Sequence, residues 1–253
     1  MRQSNTYVIL FAVVLTIVLG GLLSLAAVGL KPIQKIQVEL DTKKQILGAV
    51  MSLDGSEDVL KLYDERTESF VVDHMGNIIS EDEDGNKLIA ENINIGKEYK
   101  KPVEDRKLPV FKFLSSEDPS KAESYIFPMY GNGLWNNIWA FVALDTDFNT
   151  IKGVAFDHVG ETPGLGARIT SPVIQGRYKG KEIYDESGSL VSITMVKGEN
   201  GNNEELGKHK VDGMSGATLT AKGVNAMLES YLNYYQPYIK KLKNNSNLSL
   251  NTL

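Results

Sequence analysis

Three hydroxyl side chains, Ser215, Thr218 and Thr220, lie within the stretch Asp212–Thr220, directly before a predicted helix. Gly216, between the first two, lets the backbone approach a ligand closely. A helix N-terminus offers free amides and a positive dipole end, which suit a phosphate group. The stretch therefore allows a phosphate site, or a hydroxyl esterified to a phosphate. It also allows a plain N-cap, which is the commoner use of Ser and Thr at this place.

Two further glycine-rich stretches could lie against a flat ligand. His158–Gly166 follows a predicted strand and contains the turn-forming pair Pro163-Gly164. Tyr130–Trp135 places glycines before an aromatic side chain that could rest on a planar ring. Taken alone, the first pattern is more typical of a connecting loop, and a Trp is more often part of a core.

Composition excludes several classes of site. The 253-residue chain contains no Cys, which excludes thiolate-held iron–sulfur clusters, thiol catalysis and disulfides within it. Its three His lie far apart in sequence, so a His-rich metal site is not expected. The net charge of -5 argues against a nucleic-acid partner. With 42% hydrophobic and 23% charged residues, the chain has enough apolar side chains for a sizeable core.

The stretch from Tyr7 to Leu30 is uncharged and apolar. As a helix it would reach roughly 36 Å, enough to cross a hydrocarbon core of about 30 Å. A cleaved signal peptide is the alternative, but its apolar region should span only about 7–15 residues, so a retained membrane helix is favoured. Lys31, Lys35 and the pair Lys43-Lys44 follow the span, against Arg2 before it, which leans towards a cytoplasmic C-terminal domain.

These elements predict an α+β protein: one transmembrane helix, then a soluble mixed domain with antiparallel strands. Segments 138–144 and 151–159 predict an antiparallel hairpin, 190–196 another strand, and an apolar stripe after Val224 a final helix. The predicted organisation is a tail at 1–6, the membrane helix at 7–30, a helical stalk at 31–53, a membrane-proximal part at 54–120, a ligand-binding domain at 121–243 and a flexible tail at 244–253.

The pattern Asp-x-x-Ser-Gly-Ala-Thr resembles the flavinylation motif of FMN-binding domains in respiratory membrane complexes. In that family a flavin transferase esterifies FMN, through its phosphate, to the final Thr. The resemblance implies that Thr218 is the tether and that Ser215, Gly216 and Ala217 shape the phosphate turn. It also places Asp212, Leu219 and Thr220 in the cofactor site.

Upstream, Gly-x-Gly-Leu-Trp and Glu-Thr-Pro-Gly-Leu-Gly complete a set of motifs whose order resembles the C-subunit family of sodium-pumping NADH:quinone reductases. The resemblance implies that Thr162 and Leu165 lie against the isoalloxazine ring with Trp135 nearby, and that Glu161, Gly164 and Gly166 belong to the same site. The G-subunit family of the related Rnf complex is a second reading. A membrane-anchored binding domain without flavin is a third.

For function, the resemblance implies one covalent FMN per chain, which relays electrons from iron–sulfur centres elsewhere towards a flavin on a B subunit and then quinone. It implies partners of the A, B, D, E and F types in a six-subunit complex, with no catalytic side chain and no metal in this chain. It also places the chain in the inner membrane with its FMN domain on the periplasmic side. The lysines after the span favour the cytoplasmic side instead, and we adopt the side that the resemblance implies.

Overall fold

A computed structural model describes the backbone of residues 4–250 and the side chains of residues 4–244. Helix α1, Asn5–Gly48, is uninterrupted, and it is long and apolar enough to cross a membrane. The predicted membrane helix and most of the predicted stalk fall within it. The chain divides into two compact units, one ending at Lys43 and the other beginning at Lys44. Residues 1–3 of the predicted N-terminal tail lie outside the described residues.

The second unit contains four more helices and eight strands among its described residues. The helices are α2 (Val59–Arg66), α3 (Ile95–Glu98), α4 (Pro172–Gly176) and α5 (Thr218–Leu250). The strands are β1 (Thr67–Val72), β2 (Ile78–Ile79), β3 (Leu108–Leu114), β4 (Ala122–Asn132), β5 (Asn137–Asp145), β6 (Ile151–His158), β7 (Thr194–Met195) and β8 (Lys210–Val211).

Six of the strands form one antiparallel sheet in the order β2-β1-β3-β4-β5-β6. The predicted hairpin is confirmed as β5 and β6, with Phe141 paired to Ala155. Strands β3 and β4 pair across the expected boundary between residues 120 and 121, so the sheet is shared by both predicted parts of the soluble region. Consecutive antiparallel pairing places the ends of β4 and β6 at the same end of the sheet, on either side of the start of β5, which matters for the site.

The predicted strand at 190–196 is much shorter in the structure. Only Thr194–Met195 is extended, and it pairs in parallel with β8 rather than joining the main sheet. Ser192 has φ of 59°, a left-handed conformation that interrupts an extended strand. An apolar run such as Leu190–Val196 does not by itself reveal this break.

Helix α5 packs its apolar stripe on the sheet and forms the core. The ring of its Tyr235 packs at a tilt against Phe127 of β4, with 4.9 Å between the ring centroids. The Tyr235 hydroxyl donates to the carbonyls of Pro109 and Pro128 at 2.8 and 3.1 Å, joining the helix to β3 and β4. The backbone of α5 continues through Leu250, inside the predicted C-terminal tail, and residues 251–253 of that tail lie outside the described residues.

Candidate functional site

Three segments meet around a cavity of about 210 Å³: the loop after β4, the loop after β6, and the start of α5. The antiparallel sheet brings the two loops to the same end of the sheet, because β4 and β6 both end next to the start of β5, one on each side of it. Most of the site residues expected from the sequence line this cavity. Its lining consists of Leu134, Glu161, Thr162, Leu165, Gly166, Gly216, Ala217, Thr218, Leu219 and Thr220.

The loop after β6 is a tight turn. The Leu165 amide donates to the Thr162 carbonyl at 3.1 Å, with Pro163 and Gly164 at the two central positions. Gly164 has φ of 76°, which a type II turn requires at its third residue. Gly164 itself does not line the cavity. It allows the tight turn that places Thr162 and Leu165 in the cavity wall.

Gly216 forms the turn that leads into α5. Its φ is 73°, and a β-carbon there would lie 2.8 Å from Leu165 Cδ2. The Ala217 carbonyl accepts the amide of Ala221 at 2.9 Å, so the helix begins at Thr218. The amides of the first helical turn therefore lack intrahelical acceptors, and they lie at the cavity wall.

The three hydroxyls of the Ser-Thr stretch have different environments. Thr220 is buried, and its hydroxyl donates to Glu161 Oε2 at 2.6 Å. Ser215 is exposed and does not line the cavity. Thr218 is half-buried and lines it. Of the three, Thr218 alone combines a place in the cavity wall with access to solvent.

Glu161 is 4% exposed, and its carboxylate is enclosed by protein donors. The Trp135 amide donates to Oε1 at 3.0 Å and Thr220 donates to Oε2, while the neighbouring amides of Leu134 and Asn136 also face the carboxylate. Burial alone raises the pKa of this carboxyl, but these hydrogen bonds outweigh it and hold the pKa below its ordinary value. Glu161 is therefore ionised at neutral pH, and its hydrogen bonds join the loop after β6 to the loop after β4 and to α5.

The motif Gly-x-Gly-Leu-Trp receives that carboxylate. A β-carbon at Gly133 would overlap Glu161 Oε1, and one at Gly166 would lie 2.5 Å from Oε2. Trp135 is 70% exposed and lies outside the core, contrary to the commoner expectation for such a residue. Its indole N–H donates to the Thr162 hydroxyl at 3.1 Å, so it stands beside the cavity without lining it.

An ion-pair network that sequence reasoning missed supports the turn before α5. Glu199 accepts both terminal nitrogens of Arg168 at 2.8 Å and Arg177 Nη2 at 2.6 Å. Hydrogen bonds from these two guanidinium groups lower the pKa of Glu199 to about 2. Arg177 also donates to the carbonyls of Asp212 and Gly213, at 3.1 and 2.5 Å. These three residues belong to no common sequence motif, so their ion pairs could not be predicted from the sequence.

Asp212 holds a neighbouring loop rather than lining the cavity. It is 1% exposed, and its carboxylate accepts the amides of Asn200 and Gly201 at 3.0 and 2.8 Å. Burial raises the pKa of Asp212, and those amides lower it further than burial raises it. Four residues expected in the site thus lie outside the cavity lining: Asp212, Ser215, Gly164 and Trp135.

The cavity suits a ligand with one anionic end and one flat apolar end. Free amides and the Thr218 hydroxyl stand at the start of α5, where a phosphate is favoured. Leu134, Leu165 and Leu219 are 45%, 42% and 54% exposed at the rim. Exposed Leu side chains grouped at one cavity are a feature of ligand sites. The residues present therefore fit an FMN.

The family described as FMN-binding domain matches residues 133–233, which include all three segments of the site. The chain therefore carries an FMN-binding domain. A relative from Neisseria meningitidis serogroup A, named as the C subunit of a Na(+)-translocating NADH-quinone reductase, is 35% identical over 95% of this chain and 94% of its own length. The relative of that name from Vibrio campbellii is 34% identical over 90% of this chain and 92% of its own length.

Two solved structures have the same fold. The C subunit of this reductase from Parabacteroides distasonis aligns with a TM-score of 0.70 at 33% identity, over 83% of this chain and 96% of its own. NqrC of Shewanella oneidensis aligns at 0.67 and 27% identity, over 81% and 98%. This chain belongs to the NqrC family, the C subunits of Na(+)-translocating NADH-quinone reductases, which are oxidoreductase complexes. The α+β fold expected from the sequence is confirmed, and of the two related families the first is correct.

Proposed function

We propose that this chain carries one FMN, bound as a phosphoester to Thr218, and through it relays electrons between other subunits of the reductase. The electrons come from iron–sulfur centres elsewhere and pass towards the flavin of the B subunit and quinone. The observation that carries the proposal is the position of Thr218: it is an accessible hydroxyl in the cavity wall, at the first residue of a long helix.

When bound, FMN would supply the redox chemistry. The protein's residues bind and orient it. Thr218 fixes the phosphate end, and Ser215, Gly216 and Ala217 shape the turn around it. Thr162, Leu165 and Gly166 form the wall for the ring, with Trp135 beside it. Apolar side chains such as Leu165 beside the ring would favour its uncharged over its charged forms.

We infer that the chain is an inner-membrane protein that spans the membrane once through α1, with the FMN domain on the periplasmic side. The apolar character of α1 supports the span. The side follows the family, because flavin transfer takes place outside the cytoplasm there. The partners we propose are the A, B, D, E and F subunits of a six-subunit complex, and the lipid around α1.

The decisive experiment is the intact mass of the chain purified with its natural flavin transferase present. We expect the mass of the polypeptide plus one FMN ester. Thr218→Val preserves side-chain size but removes the hydroxyl, and it should give a folded chain of unmodified mass. Ser215→Ala removes an exposed hydroxyl outside the cavity, and it should retain at least some flavin because Thr218 is intact.

Fluorescence of the denatured chain on a gel gives a second reading, because flavin that survives denaturation is covalent. Fluorescent Thr218→Val protein would place the ester on another hydroxyl. A wild-type chain of unmodified mass and no fluorescence would support the flavin-free binding domain instead.

A further inference from the structure

Glu161 differs from the other cavity residues because both of its oxygens are already used. Its carboxylate faces three consecutive amides, those of Leu134, Trp135 and Asn136, and its Oε2 receives the Thr220 hydroxyl at 2.6 Å. Three successive amides that converge on one point form an anion-binding nest. Here the protein's own carboxylate fills that nest, so the bonding capacity of Glu161 is directed to the protein and not to a ligand.

The contacts of Glu161 connect all three segments of the site. The residue belongs to the loop after β6, its amide partners belong to the loop after β4, and Thr220 lies in the first turn of α5. The junction is also closely packed from the helix side, because a β-carbon at Gly223 of α5 would overlap the Asn132 carbonyl.

We propose that Glu161 is a positioning residue for FMN: it fixes the ring-side loop to the tether helix and holds one permanent negative charge between that loop and the first turn of the helix. This inference rests on the proposed function for the identity of the ligand. An ionised carboxylate fixed near the ring opposes the electron-rich reduced flavin, because like charges in a partly buried site repel strongly. Its effect is to lower the reduction potential.

The charge and the link can be separated by two variants. Glu161→Gln keeps the shape but removes the charge, so the midpoint potential of the bound flavin should rise. Thr220→Val keeps the charge but removes the hydroxyl that joins loop to helix. In that variant backbone amides of residues 161–166 should exchange with deuterium faster, and the visible circular dichroism of the flavin should weaken.

Glu98→Gln is the matched control, since Glu98 is also buried and hydrogen-bonded, by Lys101 and the Lys107 amide, but does not line the cavity. It should leave both the potential and the exchange of residues 161–166 unchanged. A potential in Glu161→Gln equal to that of Glu98→Gln would overturn the role of the charge. Unchanged exchange and dichroism in Thr220→Val would overturn the link, and this test stands even if Glu161→Gln does not fold.

Failure of the proposed function has a different signature. If the wild-type chain carries no flavin by mass, the amides of residues 134–136 are compared between wild type and Glu161→Gln by hydrogen exchange. Faster exchange in the variant would support Glu161 as the residue that joins the three segments, and only its proposed role towards FMN would be wrong. Equal exchange would overturn the anchor itself.

Discussion

At the scale of single residues, the site is organised by which polar groups are already satisfied. Thr220 and Glu161 bond to each other, and Asp212 bonds to the loop at residues 200–201. Buried polar groups that are paired in this way stabilise a site, whereas an accessible hydroxyl at a helix start remains free to react. This distinction leads to Thr218 as the proposed tether.

Leu165 is the residue whose substitution tests the ring end of the cavity. It is 42% exposed at the rim, so Leu165→Lys can be accommodated without burying a charge. A cation beside the ring should stabilise an anionic reduced flavin and raise its potential, while the phosphoester survives at the other end. A redox titration of the flavin-loaded variant measures the shift.

Val191→Lys is the control for Leu165→Lys, because Val191 is 40% exposed and does not line the cavity. It should leave the potential and the flavin absorbance at their wild-type values. If the Leu165 variant behaved in the same way, the loop at residues 162–166 would be a structural turn and the ring would lie elsewhere.

At the scale of elements, α5 has two functions: its first turn forms a wall of the cavity, and its middle packs on the sheet. The two are coupled because the helix is continuous from Thr218 through Leu250. Whatever fixes the middle of α5 on β3 and β4 also fixes the position of Thr218. Tyr235 makes that attachment with two hydrogen bonds from one buried hydroxyl.

Tyr235→Phe should therefore destabilise the domain by about 1–3 kcal/mol, because the buried carbonyls of Pro109 and Pro128 lose the one hydroxyl proton that they share. Tyr231→Phe is a closely matched control one turn earlier in the same helix. The Tyr231 hydroxyl is buried and has no hydrogen-bond partner among the described side chains and backbone, so its removal should leave the stability unchanged or raise it slightly. Urea unfolding of both full-length variants in the same detergent measures the difference; equal losses would show that the two bonds contribute little.

At the scale of the whole molecule, the chain has an apolar helical unit and a larger folded unit that begins at Lys44. The described part of α1 that could cross a membrane has no buried residues within its most apolar window, as expected for a helix that meets lipid rather than a core. The lysines after the span and the family disagree about which side of the membrane the folded unit occupies.

Protease added to intact spheroplasts decides between the two sides. On the proposed topology the chain beyond residue 31 should be digested while a cytoplasmic marker protein in the same cells stays intact. Digestion of the chain only after lysis would support the cytoplasmic side that the lysine count favours. An epitope tag placed after the last residue is detected by blotting. Loss of the tag shows that the C-terminal part of the chain was digested.

Local sequence patterns were sufficient for several elements. The uncharged run at 7–30, the hairpin at 138–159 and the apolar stripe of the last helix each depend on periodicity or length, which are local properties. The short strand β7 could not be predicted in the same way. Its length is limited by the left-handed backbone of Ser192 and by a parallel partner at Lys210–Val211.

For the site, the sequence by itself determined the three glycine-containing segments, one of which is the motif that contains Thr218. Only the tertiary structure decided which residues of those segments face a cavity and which support it. Glu161, in the loop after β6, is an anchor because the loop after β4 brings amides to its carboxylate and α5 brings a hydroxyl. Arg168, Arg177 and Glu199 become one network only in the fold. A motif determines the local backbone conformation and the types of side chain present. The burial of those side chains and their hydrogen-bond partners depend on packing between distant segments, which no local pattern specifies.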